Sequence, residues 1–252
     1  MVISEIKSPQ NKRLREFLRK RDDFFCFSGE KLVNDIMAGG RVVDLLVVLD
    51  SFPLPVHWPR AMETWLVSPE VMARVSSLRE PAKAAAIIKK LPAELDFHKH
   101  SRIIVLHNVQ DPGNAGTICR CAAAFGFDAV VLTGTSVKIN NEKFLRSAQT
   151  SLFTVNVLSR PEIEKLLEQA VKFGFRILVT SSSRQVDAFD EKIVKPPFLI
   201  IFGSEGSGLP RNYFDLYPAL RLAQKDNVES LNVAVAACII MHELTRKDPL
   251  RK

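Results

Sequence analysis

Beyond Arg102, strand-length runs of Ile, Val, Leu and Phe alternate with helix-length stretches of mixed character. The pattern predicts strands at 103–107, 129–132, 153–158, 176–179, 198–202 and 220–223, and helices at 114–125, 141–148, 161–173, 210–217 and 230–245. Runs that are apolar at nearly every position belong in a sheet covered on both faces, and strand–helix–strand order makes such a sheet parallel. Ligands of open parallel sheets bind beyond the carboxyl ends of the strands. The loops at 107–117, 203–209 and 223–231 are therefore where a site is expected.

The first hundred residues form a separate, smaller α/β pattern. Strands are expected at 24–27, 42–49, 64–67 and 84–88, with a helix at 30–38 stopped by Gly39-Gly40. A second helix starts at Ser68 as N-cap with Pro69 at the first helical position. The polar stretch 89–102, interrupted by Pro92, reads as a linker, giving domains 1–96 and 97–252. Within it, His98 and His100 lack a third ligand and read as linker residues rather than a metal site.

A helix over 9–21 places Leu14, Phe17 and Leu18 on one face and Lys12, Arg13, Arg15 and Arg19 around the rest. Residues 1–21 hold seven Lys or Arg against two Glu, within a 252-residue chain of net charge +7. That balance favours a polyanionic partner, although a basic helix face can equally be a solvated one. Cys26, Cys119, Cys121 and Cys238 are too few and scattered for a disulfide framework and form no CxxC zinc knuckle. A reducing cytoplasm is the expectation. Neither a secretory leader nor an apolar run of about 20 residues is visible, so no membrane partner is expected.

The first loop, His107-Asn-Val-Gln-Asp-Pro-Gly-Asn114, leaves a strand and opens a helix, with Asn114 as the expected cap. Backbone amides there could receive an anion. Arg120 follows among residues that look buried, so it needs a carboxylate or phosphate partner. The second loop, Phe202-Gly-Ser-Glu-Gly-Ser-Gly-Leu-Pro210, is GxxGxG. It matches neither the dinucleotide pattern GxGxxG nor the phosphate-loop pattern GxxxxGK[ST]. Its glycines allow close approach to a flat ligand, with Glu205 among them. In the third loop Ser230 is the expected N-cap, and Asn232 then lies in the first helical turn.

Together these segments resemble the three motifs of the SpoU (TrmH-type) RNA ribose 2'-O-methyltransferases of the SPOUT superfamily. The residues that carry the likeness are 108–118 with Arg120, then 202–209, then Glu229-Ser230-Leu231-Asn232-Val233-Ala234-Val235-Ala236. The amino-terminal segment is similar to the family's L30e-like RNA-binding domain, through Ile6–Asn11 and Gly29–Val33. It departs in having Ser28-Gly29 where relatives often show Glu-Gly. The resemblance implies an α/β parallel-sheet domain with a trefoil knot, preceded by the L30e-like domain, and a cytoplasmic homodimer whose active sites share residues of both protomers. It implies S-adenosylmethionine as cofactor, held through Gly203, Leu222 and Leu231, and S-adenosylhomocysteine as product. Asn114, Arg120, Glu205, Ser230 and Asn232 match the polar catalytic set, and neither a metal nor a covalent nucleophile is called for.

On that reading Arg120 binds the phosphate beside the target ribose and assists deprotonation of its 2'-hydroxyl, directly or through that phosphate. Lys12, Arg13, Arg15 and Arg19 would dock RNA. Large-subunit (23S-type) rRNA is the expected substrate, with tRNA the alternative. A non-catalytic RNA-binding protein of this fold and a nicotinamide-dependent oxidoreductase are the rival classes; the latter rests on sheet architecture alone.

Overall fold

The computed structural model describes residues 2–55, 58, 61–76, 82–90, 93–160, 162–181, 194–225 and 230–246. The chain divides into two compact units, Met1–Pro92 and Ala93–Lys252. The division falls four residues before the expected boundary because the linker already belongs to the second unit. Leu95 and Phe97 pack on its core, Phe97 stacks on Phe173 at 5.3 Å, and Asn156 Nδ2 donates to the Glu94 carbonyl at 2.7 Å. His100 Nδ1 accepts from the Asp96 N–H, and His98 meets the edge of Phe173.

In the first unit the elements run β1 (Val2–Ile6), α1 (Lys12–Arg19), β2 (Phe24–Ser28), α2 (Glu30–Ala38), β3 (Leu45–Leu49), β4 (Glu63–Val67), α3 (Pro69–Val75) and β5 (Ala84–Lys89). The sheet order is β1-β4-β3-β5-β2. β4 pairs parallel with β1 and β3, while β5 pairs antiparallel with β2 and β3. β1 was not foreseen: it is an edge strand whose Val2 and Ile3 are 59% and 49% exposed, so it lacks the apolar signature of a covered strand. Helix α1 begins where Asn11 accepts from the N–H groups of Arg13 and Leu14. It buries Leu14 and Phe17 in a cluster with Trp65. Ser68 caps α3 with Pro69 in its first turn, as the sequence indicates.

The second unit contains β6 (Arg102–His107), α4 (Pro112–Ala124), β7 (Ala129–Thr133), α5 (Glu142–Ala148), β8 (Asn156–Ser159), α6 (Ile163–Lys172), β9 (Arg176–Thr180), β10 (Phe198–Phe202), α7 (Arg211–Leu216), β11 (Ala219–Leu220) and α8 (Val233–Thr245). Its strands order β11-β9-β10-β6-β7-β8, and every pair is parallel. Ile103, Ile104, Val105 and Leu106 of β6 and Leu199, Ile200 and Ile201 of β10 have no exposed surface, as expected of strands covered on both faces. The strand expected from 153 starts at Asn156, because 149–153 forms a 3-10 turn in which Ser151 Oγ donates to the Ala148 carbonyl. The strand expected at 220–223 is only Ala219–Leu220. Pro161, the expected start of α6, lies outside the described residues.

Two side chains displace the expected caps. Asp111 caps α4, accepting from the Asn114 N–H at 2.8 Å, and Pro112 takes the first turn. Asn232 caps α8, where Ser230 was expected. Helix α4 approaches α5 closely at Gly116, where a Cβ would fall 2.5 Å from Ser147 Cβ. On its other side α4 packs on α8, and there Cys121 and Cys238 form a disulfide with a Cα–Cα distance of 5.7 Å. This corrects the expectation of unpaired cysteines: 117 residues of sequence separation conceal that the two helices are neighbours. Cys26 and Cys119 are buried free thiols.

Candidate functional site

The strand order reverses between β6 and β10, since the chain leaves β6 toward β7 and β8 on one side and leaves β10 toward β11, beyond β9, on the other. Such a switch point opens a crevice at the carboxyl ends of the central strands. Here it is a cleft of about 970 Å3. Phe202, Leu209, Leu220, Val233 and Ile240 give it an apolar floor, and polar side chains from the loops after β6 and β10 and from the start of α8 converge on it.

The convergence follows from local capping. Asn232 Oδ1 accepts from the N–H groups of Ala234 and Val235, at 2.9 and 3.3 Å. With its oxygen so engaged, the Nδ2 group points outward, donating to Asn114 Oδ1 at 3.1 Å and to Glu205 Oε1 at 3.4 Å. Asn114 Nδ2 also donates to Glu205 Oε1. Asn114 is held in turn by Asp111, whose Oδ2 pairs with Lys143 Nζ at 3.0 Å. The backbone bond from Asn114, and then Lys143, keep the Asp111 carboxyl below the usual carboxylate range. One oxygen of Glu205 thus receives two amide donors, while Oε2 accepts from no described residue.

The glycine loop is folded tightly on itself. Gly208 N–H donates to the Ser204 carbonyl at 3.0 Å, Ser204 and Ser207 share a hydroxyl–hydroxyl bond of 2.7 Å, and Gly208 has φ +63°. A Cβ on Gly203 would lie 2.5–2.8 Å from the Gly208 carbonyl group and Leu209 N. Only glycine fits there, and the bare backbone lines the cleft.

Of the residues singled out from the sequence, Asn114, Glu205, Ser230 and Asn232 line this cleft together with Gly203, Leu222 and Leu231. Arg120 does not. Ile118, Cys119 and Ala122 turn into the core, whereas Thr117, Arg120 and Ala124 lie on the opposite, exposed face of α4. Arg120 makes no hydrogen bond or ion pair with any described residue, which corrects the expectation of a buried, partnered arginine. Asp111 and Arg211 also line the cleft and were not foreseen. The Asp-Pro pair leaving β6 was the available signal for the first, being an N-cap followed by Pro at the first helical position. Residues 226–229 of the third motif, including Glu229, lie outside the described residues.

In the first unit Arg13 is already engaged. It donates to Ser4 Oγ at 2.7 Å, pairs with Glu63, and sits 5.8 Å over the Trp65 ring. Lys12, Arg15 and Arg19 are exposed and have no partner among the described residues. Lys90 donates to the Asp22 carbonyl and lies over Phe25, and burial lowers its pKa despite Asp22 and Asp23.

Comparison with known proteins assigns the second unit to a class of RNA-methylating enzymes. The profile of the SpoU rRNA Methylase family matches residues 101–242, a span that contains all three cleft loops, and the chain belongs to that family. Among its relatives, the 23S rRNA (guanosine(2553)-2'-O)-methyltransferase RlmP of Bacillus subtilis is 28% identical over 96% of this chain and 99% of its own. An uncharacterised tRNA/rRNA methyltransferase of Synechocystis is 32% identical over 98% of this chain and 95% of its own. In fold the chain is similar to the SpoU methyltransferase AviRb of Streptomyces viridochromogenes, solved with AdoMet. Their TM-score is 0.80 at 21% identity, covering 94% of this chain and 98% of that one.

Proposed function

We propose that this protein is an S-adenosylmethionine-dependent methyltransferase acting on a ribose 2'-hydroxyl of large-subunit rRNA. The observation that carries the reading is the Asn114–Glu205–Asn232 cluster set beside a glycine loop at the sheet's switch point. Full-length similarity to RlmP supports the reaction and the substrate class.

The cleft fits the cofactor by its donor set and shape. Gly203 leaves bare backbone for an adenosine to approach, and Leu222 and Leu231 line the same cavity. The Glu205 carboxylate, with one oxygen unengaged, suits a sulfonium. S-adenosylmethionine, when bound, supplies the methyl group. The remaining chemistry is positioning and removal of one proton. Asn114 and Asn232 fix Glu205 by two bonds to Oε1, leaving Oε2 to accept from the ribose. Ser230 offers a hydroxyl at the same rim. Arg120 binds the adjoining phosphate. A guanidinium with a pKa above about 12 is a poor base, so Arg120 promotes deprotonation chiefly through that phosphate's oxygens.

The position of Arg120, outside the lining of its own cleft, supports a homodimer in which α4 serves the partner's site. Exposed apolar side chains on α8 support the same assembly: Val235 and Ile239 are 48% and 40% exposed. The reading includes a trefoil knot in the second unit, an L30e-like RNA-binding first unit that uses Lys12, Arg15 and Arg19, and a cytoplasmic location. Among the described residues no helix is long and apolar enough to cross a membrane.

The test is transfer of labelled methyl to unmodified large-subunit rRNA, followed by alkaline hydrolysis. A 2'-O-methyl blocks cleavage of its phosphodiester, so label is expected in an alkali-resistant dinucleotide. Label in mononucleotides would mean base methylation and reject the reading. Transfer to tRNA alone would move the substrate.

A further inference from the structure

The cleft contains a charge that the methyl-transfer step leaves unused. Of the described side chains lining it, Asp111 and Glu205 are acidic and Arg211 alone is Lys or Arg. Asp111 is satisfied by the Asn114 N–H and Lys143, whereas Glu205 is held through Oε1 alone by the Asn114 and Asn232 amides, with Oε2 accepting from no described residue. Arg211 is exposed and makes no hydrogen bond or ion pair with any described residue. Its place is fixed nonetheless. Leu209 is buried, Pro210 follows it, and Arg211 is the first residue of α7, three positions past the Gly208 that closes against Gly203 and Ser204. Glu205 sits at the tip of the same loop and Arg211 at its base, so a molecule lying along the loop meets an anion at one place and a cation at another.

S-adenosylmethionine has the complementary pattern, with a cationic sulfonium and an amino-acid tail that ends in a carboxylate. We propose that Arg211 is the anchor for that α-carboxylate, and so the residue that selects cofactors with an intact amino-acid end. The inference rests on the cofactor reading above and adds to it the group that recognises the tail. A guanidinium meets a carboxylate with two parallel N–H···O bonds. The exposure of Arg211 weakens that pairing relative to a buried one, so an effect of about 10-fold rather than several hundred-fold is expected.

Calorimetric titration of the full chain with S-adenosylhomocysteine and with its decarboxylated analogue, S-adenosyl-3-thiopropylamine, tests this for wild type, Arg211→Ala and Arg211→Lys. Wild type should prefer S-adenosylhomocysteine by about 10-fold. In Arg211→Ala that preference should vanish through weaker S-adenosylhomocysteine binding, with the analogue unchanged, and Arg211→Lys should recover part of it. Equal weakening of both ligands would assign Arg211 a structural role. Unchanged affinity for both, or loss confined to RNA binding, would remove it from the tail. If wild type bound neither ligand, the cofactor reading itself would fail, and Arg211 with it.

Discussion

A side-chain amide has two ends, and at Asn232 the fold uses them for different purposes. Its oxygen caps α8 while its nitrogen holds Asn114 and Glu205, so helix geometry sets the orientation of the cluster. The identities of Asn114, Glu205 and Asn232 were legible from the sequence. Which residues serve as caps was not, because Asp111 and Asn114 before α4, like Ser230 and Asn232 before α8, are all good N-cap types and register alone separates them. Arg120 shows the same limit in reverse: its neighbours at 118, 119 and 122 are buried, and a linear reading assigns it their environment, although the two residues from Ile118, roughly half a helical turn, carry it to the exposed face. Since Arg120 is read as gripping a phosphate through a planar fork, Arg120→Lys should lose single-turnover methyl transfer nearly as fully as Arg120→Ala. The loss should be about 100-fold or more, with S-adenosylhomocysteine affinity within twofold of wild type. Wild-type-like turnover in the Lys variant would show that charge without geometry suffices.

At the scale of elements, strands covered on both faces were the easiest to see. β6, β10 and β7 announce themselves through uninterrupted apolar runs, whereas edge strand β1 and two-residue β11 bury too little to leave a pattern. The chain also hides pairings that depend on helix–helix packing, such as Cys121 with Cys238. Helix α4 carries a testable consequence of its cap. Asp111 bonds the Asn114 N–H and Lys143 only in the folded state, so its folded pKa lies below the unfolded value. The folded protein therefore binds the proton less readily than the unfolded chain. The stabilisation is fully present above the unfolded carboxylate range, near pH 4, and is lost as pH falls through the folded value. Asp111→Ala should cost about 1 kcal/mol at pH 7, and the difference in urea midpoint from wild type should shrink as pH drops below about 4. A difference that stayed constant down to pH 2 would indicate that the cost comes from packing rather than from the ionised cap.

Across the whole molecule, a modest excess of positive charge becomes meaningful only when one asks which cations are free. Composition gives +7 without distinguishing Arg13, locked to Ser4, Glu63 and Trp65, from Lys12, Arg15 and Arg19, which point to solvent without a described partner. The latter three are spaced i, i+3, i+7 and share one face of α1, so they can meet successive phosphates, while Leu14 and Phe17 anchor the helix to its sheet. If the first unit grips RNA and the second binds the cofactor, the two affinities should separate by mutation. The double variant Arg15→Glu/Arg19→Glu should bind rRNA fragments at least 10-fold more weakly at about 0.1 M salt, and its log–log salt slope should flatten by roughly 1–2 units as phosphate contacts are lost. S-adenosylhomocysteine affinity and thermal midpoint should stay at wild-type values, since neither side chain contributes to the packing. Arg13→Glu should behave differently, lowering the midpoint by placing a second carboxylate against Glu63. An unchanged salt slope in the double variant would make this face a solvated surface and leave RNA recognition to the cleft-bearing unit.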